Sequence, residues 1–286
     1  MKFVLAAVAS ATLFAAPVTK VETGEATYGL AASGGSLWVG GLTQGDVLRV
    51  DTRSGKVLRR VNAGLRIFNL ASAPGAVWAV SNLTSTVVRI DTRTGRRSAT
   101  VRVGYAPYDV AWGFGSAWVS NASGGTVSRI TGTKVVKTIK IGAEPNGLAA
   151  IGSSLWVTDH TKGKLLRLDP RTNRVTGSVS LPGADWVTGF GGSLYVSQET
   201  NVVTRVDART LKVLGRARVP RNPLGSAIVG NELWVPCIEG NAVAVVDPAT
   251  MKVVQTIRVG PGPIVVQPLD GHAWVSLSAG TAIRRL

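Results

Sequence analysis

Asp159 and His160 stand side by side in this chain, and Glu199 follows one repeat length later. An imidazole held by carboxylates takes and returns protons near neutral pH, so these three residues are the candidates for acid–base catalysis. The set is small. The other histidine, His272, falls at a different point of the repeat described below, and scattered carboxylates with a single cysteine, Cys237, do not make a ligand cluster. No metal and no cofactor is predicted. No Gly-x-Ser-x-Gly elbow, phosphate loop or dinucleotide fingerprint stands between a strand and a helix. A histidine beside an aspartate is also an ordinary hydrogen-bonded surface pair, and the residues alone leave both readings open. Cys237 reads as a small buried hydrophobe, and a lone thiol leaves the fold to packing without an intrachain disulfide.

A repeat positions these side chains. A tripeptide of the form Leu/Val/Ala–Trp/Tyr–Val/Ala begins at Leu37, Val77, Ala117, Leu155, Leu194, Leu233 and Ala273, with spacings of 40, 40, 38, 39, 39 and 40 residues. Each copy holds four short runs rich in Val, Ile, Thr and Trp, separated by Gly/Ser/Asn turns, with almost no helical period. Asp51, Asp91, Asp169, Asp207 and Asp247 open turns in which an aspartate bonds its own backbone. Four antiparallel strands at this period make one propeller blade, and seven copies make an all-β, seven-bladed β-propeller. The last copy, "AWVSLSAGTAIRRL", lacks its outermost run, and "PVTKVETG", Pro17 to Gly24, is of the right kind to complete it. One blade is therefore predicted to draw strands from both ends of the chain, which closes the ring and removes an open edge.

The "LWV…VxRID…TGKV…VG..P" pattern resembles the YVTN-type seven-bladed propellers of exported bacterial proteins and, more loosely, the propellers of streptogramin B (virginiamycin B) lyases. The resemblance spans Pro17 to Leu286 and is specific for fold rather than activity. The first family implies a binding or scaffold role, in some members DNA binding. The second implies cleavage of a cyclic antibiotic by elimination, through histidines and a glutamate on one face. Only His160 lies on that face here, so no catalytic residue carries over.

In a propeller the loops entering the inner strands and those joining second to third strands share one face around the channel. The first set brings Tyr28, Phe68, Tyr108, Asn146, Asp185, Leu224 and Ile264, with Glu25, Arg66, Asp109, Glu144, Trp186 and Arg221 beside them. The second brings Asn121, Asp159, His160, Gln198, Glu199 and Cys237. An aromatic wall of Tyr28, Phe68 and Tyr108 facing Asn121, Asn146, Asp185, Trp186 and Gln198 is the expected ligand site at a funnel mouth. Its occupant would be a small molecule, a peptide or another envelope protein. The alternative is a lyase- or hydrolase-like enzyme using Asp159, His160 and Glu199 on the same face.

Two other sets are structural by their regularity. Trp38, Trp78, Trp118, Trp156, Trp234 and Trp274, with Tyr195, share one repeat position, as do Arg49, Arg89, Arg129, Arg167, Arg205 and Arg285. They are read as blade-to-blade core and as partners for neighbouring backbone or carboxylates. The remaining excess of 32 Lys/Arg over 16 Asp/Glu, net +16, gathers on the outer strands and turns. That basic perimeter suits an anionic polymer or nucleic acid, or keeps outer strand edges unpaired. "MKFVLAAVASATLFAAPVTK" has the form of an export signal over residues 1–16, with 17–286 as one domain. The expected product is a secreted or periplasmic monomer with no transmembrane segment.

Overall fold

The structure, a computed structural model, describes residues 19–286. The predicted export signal lies outside the described residues. The chain folds into seven four-stranded antiparallel sheets, each a blade of the propeller. Blade one takes residues 27–62, blade two 67–102, blade three 107–140, blade four 145–180, blade five 184–218 and blade six 227–258. No helix among the described residues is long and apolar enough to cross a membrane.

Blade seven is composite, as its truncated repeat requires. Its inner strands are Pro263–Leu269, His272–Leu277 and Ala282–Arg285, and Lys20–Glu22 completes it. Val21 pairs with Ile283 in antiparallel register. Arg285 N–H donates to Thr19 O at 3.0 Å, and Thr23 N–H to Thr281 O at 2.8 Å. Val21 is buried with Trp274 and Ile283.

The repeated aromatics form the seams. Trp38 packs with Ile67, Leu70 and Val77 of the next blade, and Trp78, Trp118, Trp156, Tyr195 and Trp274 repeat this around the ring. All six are at most 2 % exposed, and only Trp234 of this set stays partly exposed. Six of the seven seams thus bury one large ring, worth about 3–5 kcal/mol if truncated to alanine.

Three of the six repeated arginines strap these seams from the side where third strands turn into fourth, while Arg49 and Arg89 bond Ser36 and Ser98 of their own blades. Arg129 donates to Pro170 O at 2.7 Å, Arg167 to Arg209 O at 3.1 Å and Arg205 to Ala249 O at 2.9 Å, each reaching the turn of the following blade. Those turns are built by their aspartates: Asp51, for example, accepts from Arg53 N–H at 2.9 Å. A positive φ follows, taken by Gly55 and Gly95 and, in blade six, by Met251, whose side chain is held in the core.

Candidate functional site

At the start of the inner strand, or just before it in blade six, five of the seven blades place a bulky residue in one central cluster: Tyr28, Phe68, Tyr108, Leu224 and Ile264. The expected open funnel is therefore filled. Tyr28 stacks on Phe68 with ring centroids 4.8 Å apart, and Tyr108 meets Phe68 edge-on at 5.4 Å. The hydroxyls of Tyr28 and Tyr108 hydrogen-bond at 2.7 Å, so blades one and three meet across the mouth. Trp186 packs on this plug but also lines a hollow of about 240 Å³ beneath it, with Asn69, Asp109 and Ser226. The hollow follows the inner strands away from the plug, toward the opposite face.

The last residue of each second strand lies under the loop that enters its own blade. Asp159 accepts from the amides of Ala143, Glu144 and Lys162, each at 3.2 Å. Gln198 donates to Pro182 O at 2.7 Å, and Asn121 to Thr126 and Ser128 hydroxyls at 3.0 Å. Ser81 does the same work in blade two, accepting from Leu65 N–H at 2.9 Å. Blade one has Gly41 there, and the carboxylate of Glu25 fills the space, accepting from Thr43 and Gln44. Asp159 and Gln198 are thus buried loop holders, whereas Asn121 ties its second strand to the third and keeps a buried Oδ1 without a donor. Cys237 occupies the same position, and burial pushes its thiol up to about 12.

This placement separates Asp159 from its neighbour. Asp159→Asn is expected to lower stability by about 1–3 kcal/mol, because one of the two accepting oxygens becomes an NH2 group that faces backbone N–H donors. If Asp159 only holds its loop, any binding at the neighbouring His160 should change by less than about threefold, below the ~1.4 kcal/mol of a tenfold effect. Thermal unfolding and calorimetry on the one variant decide between loop holder and site residue.

His160, unlike Asp159, faces the surface between blades four and five. Its Nδ1 lies 3.4 Å from Glu144 Oε2 and its Nε2 3.1 Å from Glu199 Oε1. The second contact is at ion-pair distance but off the line of a hydrogen bond, so Nε2 remains unpartnered. Asp185 completes the group: one donor or acceptor atom from each of His160, Asp185 and Glu199 lies within 4.8 Å of the others. Asn146 Nδ2 donates to Asp185 Oδ1 at 3.1 Å, leaving the buried Asn146 Oδ1 without a donor. Beyond Glu199 runs a polar groove of about 390 Å³, with Arg221 and Glu239 across it.

The electrostatics follow from this crowding. Burial raises the Asp185 carboxyl to about 6, although its bond from Asn146 and the nearby imidazole oppose the rise. For His160 burial disfavours the charged ring, but the Glu199, Asp185 and Glu144 carboxylates outweigh it and hold the imidazolium above its ordinary range. Three carboxylates thus share one cationic ring. Glu144 reads in the sequence only as a loop neighbour, and the expectation of no ligand cluster does not foresee that His160, Asp185 and Glu199 meet from two different blades. Neither pattern has a linear spacing that would reveal it.

A scan against protein-family models and a search of curated proteins find no match to this chain. Solved structures do match it. A chain of hydrazine synthase from Kuenenia stuttgartiensis superposes with a TM-score of 0.82 at 16 % identity, covering 98 % of this chain and 99 % of that one. A streptogramin B lyase superposes at 0.79 with 18 % identity, covering 94 % and 95 %. What is shared is the seven-bladed fold. At such identities no residue role transfers, and the site must be argued from its own atoms.

Proposed function

We propose that this propeller is a binding module whose ligand seat is the acidic cup of Glu144, Asp185, Glu199 and His160, and that it takes a small positively charged ligand. The observation that carries this reading is the charge count of the cup. Three carboxylates converge on one imidazole, and the adjacent Asn146 Oδ1 is buried without a donor. A cation would supply what the cup lacks: a partner for the carboxylates, for the amide oxygen and, once it displaces the ring proton, for Nε2 of His160. The aromatic plug beside it is rigid, and so fixes the loops that present Asp185 and Asn146.

Calorimetric titration with Ca²⁺, Mn²⁺, Zn²⁺ and a short diamine near neutral pH tests the proposal. Saturable binding of at least one is expected, weakened about tenfold or more by Glu199→Gln or Asp185→Asn, since ~1.4 kcal/mol corresponds to a tenfold loss. No binding by the parent chain, or binding unmoved by both variants, defeats it.

A second reading rests on the clamped imidazole. His160 sits between Glu144 and Glu199, the arrangement that poises a ring for proton transfer. On this reading the acid–base pair is His160 with Glu199, without Asp159. Turnover that survives His160→Ala would exclude it.

A further inference from the structure

The outer strands Lys56–Asn62, Arg96–Arg102 and Lys134–Lys140 belong to three consecutive blades and hold nine Lys/Arg with no Asp or Glu. The other four outer strands together hold five cations and one carboxylate. The excess charge is therefore gathered on one arc of the rim. Arg60 alone is engaged inward, donating to Thr23 O at 2.6 Å and lying 3.6 Å from Glu25. Among the described residues the other eight are exposed and make neither ion pairs nor side-chain hydrogen bonds. The arc is continuous, for the stem of Arg59 lies against Gly95 of the next blade.

We infer that the outer strands of blades one to three are a docking belt for a linear, base-free phosphodiester polyanion. Charge complementarity argues for a polyanion, and the shape of the surface argues for a flexible one. A flat membrane meets a curved rim at one or two blades, whereas a chain can follow all three. The three strands carry no Phe, Tyr, Trp or His, so there is no platform on which bases would stack. What lies between the cations instead is aliphatic: Leu58 at 54 % and Val136 at 56 % exposure face solvent. Those side chains suit a polymer whose links are short hydrocarbon units. Within a strand the rise of ~3.3 Å per residue sets Lys134, Lys137 and Lys140 roughly 10 Å apart. The belt is separate from the acidic cup, which lies on blades four and five, and does not depend on it.

The test is binding of fluorescent poly(glycerol phosphate), read by anisotropy across a salt series. If the belt engages six to eight phosphates, log K against log salt should fall with a slope of about −4 to −6, from ~0.7 counterions released per contact on a flexible chain. The triple variant Arg96→Glu, Arg97→Glu, Lys137→Glu should lose at least about tenfold in affinity at low salt. The control variant Lys212→Glu, Arg216→Glu, Arg258→Glu makes the same charge change on the far arc and should stay within about threefold of the parent. Both variants carry exposed substitutions only, so both should fold. Equal losses in the two variants would mean that net charge alone is read, and would overturn the belt. So would absence of binding, preference for single-stranded DNA of equal charge, or stronger retention on phosphatidylglycerol vesicles than on the polymer.

Discussion

Removal of residues 19–24 should lower the melting temperature by about 10 °C or more and turn a sharp transition into a broad one. Lys20–Glu22 is the outermost strand of a blade whose other three strands come from the far end of the chain. Its loss strips ladder bonds from Ala282–Arg285, each worth about 0.5–1.5 kcal/mol. It also removes buried Val21, about 1.5–3 kcal/mol, and bares Ile283 and Trp274. A total near 5 kcal/mol at ~2–4 °C per kcal/mol gives the expected shift. The exposed edge of Ala282–Arg285 would in addition be open to pairing with another chain. Calorimetry of the deletion protein beside Lys20→Ala, which touches only an exposed ion pair with Glu22, separates strand loss from surface charge. A deletion protein that melts with the parent would show that the ring closes without this strand.

Stability should also be greater in mild acid than in mild alkali, the reverse of the usual carboxylate effect. Burial raises Asp109 from 3.8 to about 7 and Asp185 to about 6. Between the unfolded and folded values the native state binds more protons, so stability falls as pH rises. His160 acts in the same sense: its folded value lies above 6.5, so its contribution is complete below that and is lost as pH climbs through the folded value. The turn aspartates Asp51, Asp91, Asp169, Asp207 and Asp247 act oppositely. Backbone hydrogen bonds lower them below 3.8, and their contribution is present above that value and lost as pH falls through the folded one. The maximum should lie between these two windows. At ~1.4 kcal/mol per tenfold change in proton affinity, the two buried carboxyls alone make the difference several kcal/mol. Urea unfolding near pH 5 and near pH 8 reads it directly through the midpoint. A midpoint that rises toward pH 8 would contradict the assignment, and Asp185→Asn should flatten part of the slope.

The parts of this molecule that recur were legible in its sequence. A tryptophan at one position of six repeats must serve something common to every blade, and each was found in a seam. Three of the six third-strand arginines, Arg129, Arg167 and Arg205, followed the same logic, down to their bonds with neighbouring backbone. The unfinished last repeat specified its completion. What varied was harder to read. Ser81, Asn121, Asp159 and Gln198 differ from blade to blade as ligand groups would, yet Ser81, Asp159 and Gln198 tie down a loop and Asn121 the neighbouring strand, each by a different bond. Variation there reflects several chemical solutions to one local need. The acidic cup was hidden for another reason: Glu144, His160 and Glu199 come from three loops and Asp185 from an inner strand, and their meeting depends on how two blades tilt together. Side-chain direction around the axis was predictable, but the volume of five large residues meeting in one narrow mouth was not.

The hydroxyl contact between Tyr28 and Tyr108 has a consequence for traffic. A ring of blades suggests a pipe, but with this bolt drawn across it the molecule is a partition. The hollow beneath Trp186 and the cup beside His160 share no lining residue. The stacked rings of Tyr28 and Phe68 lie at the centre between them. On the reading proposed above, a ligand in the cup and one in the hollow would be kept apart by this aromatic wall.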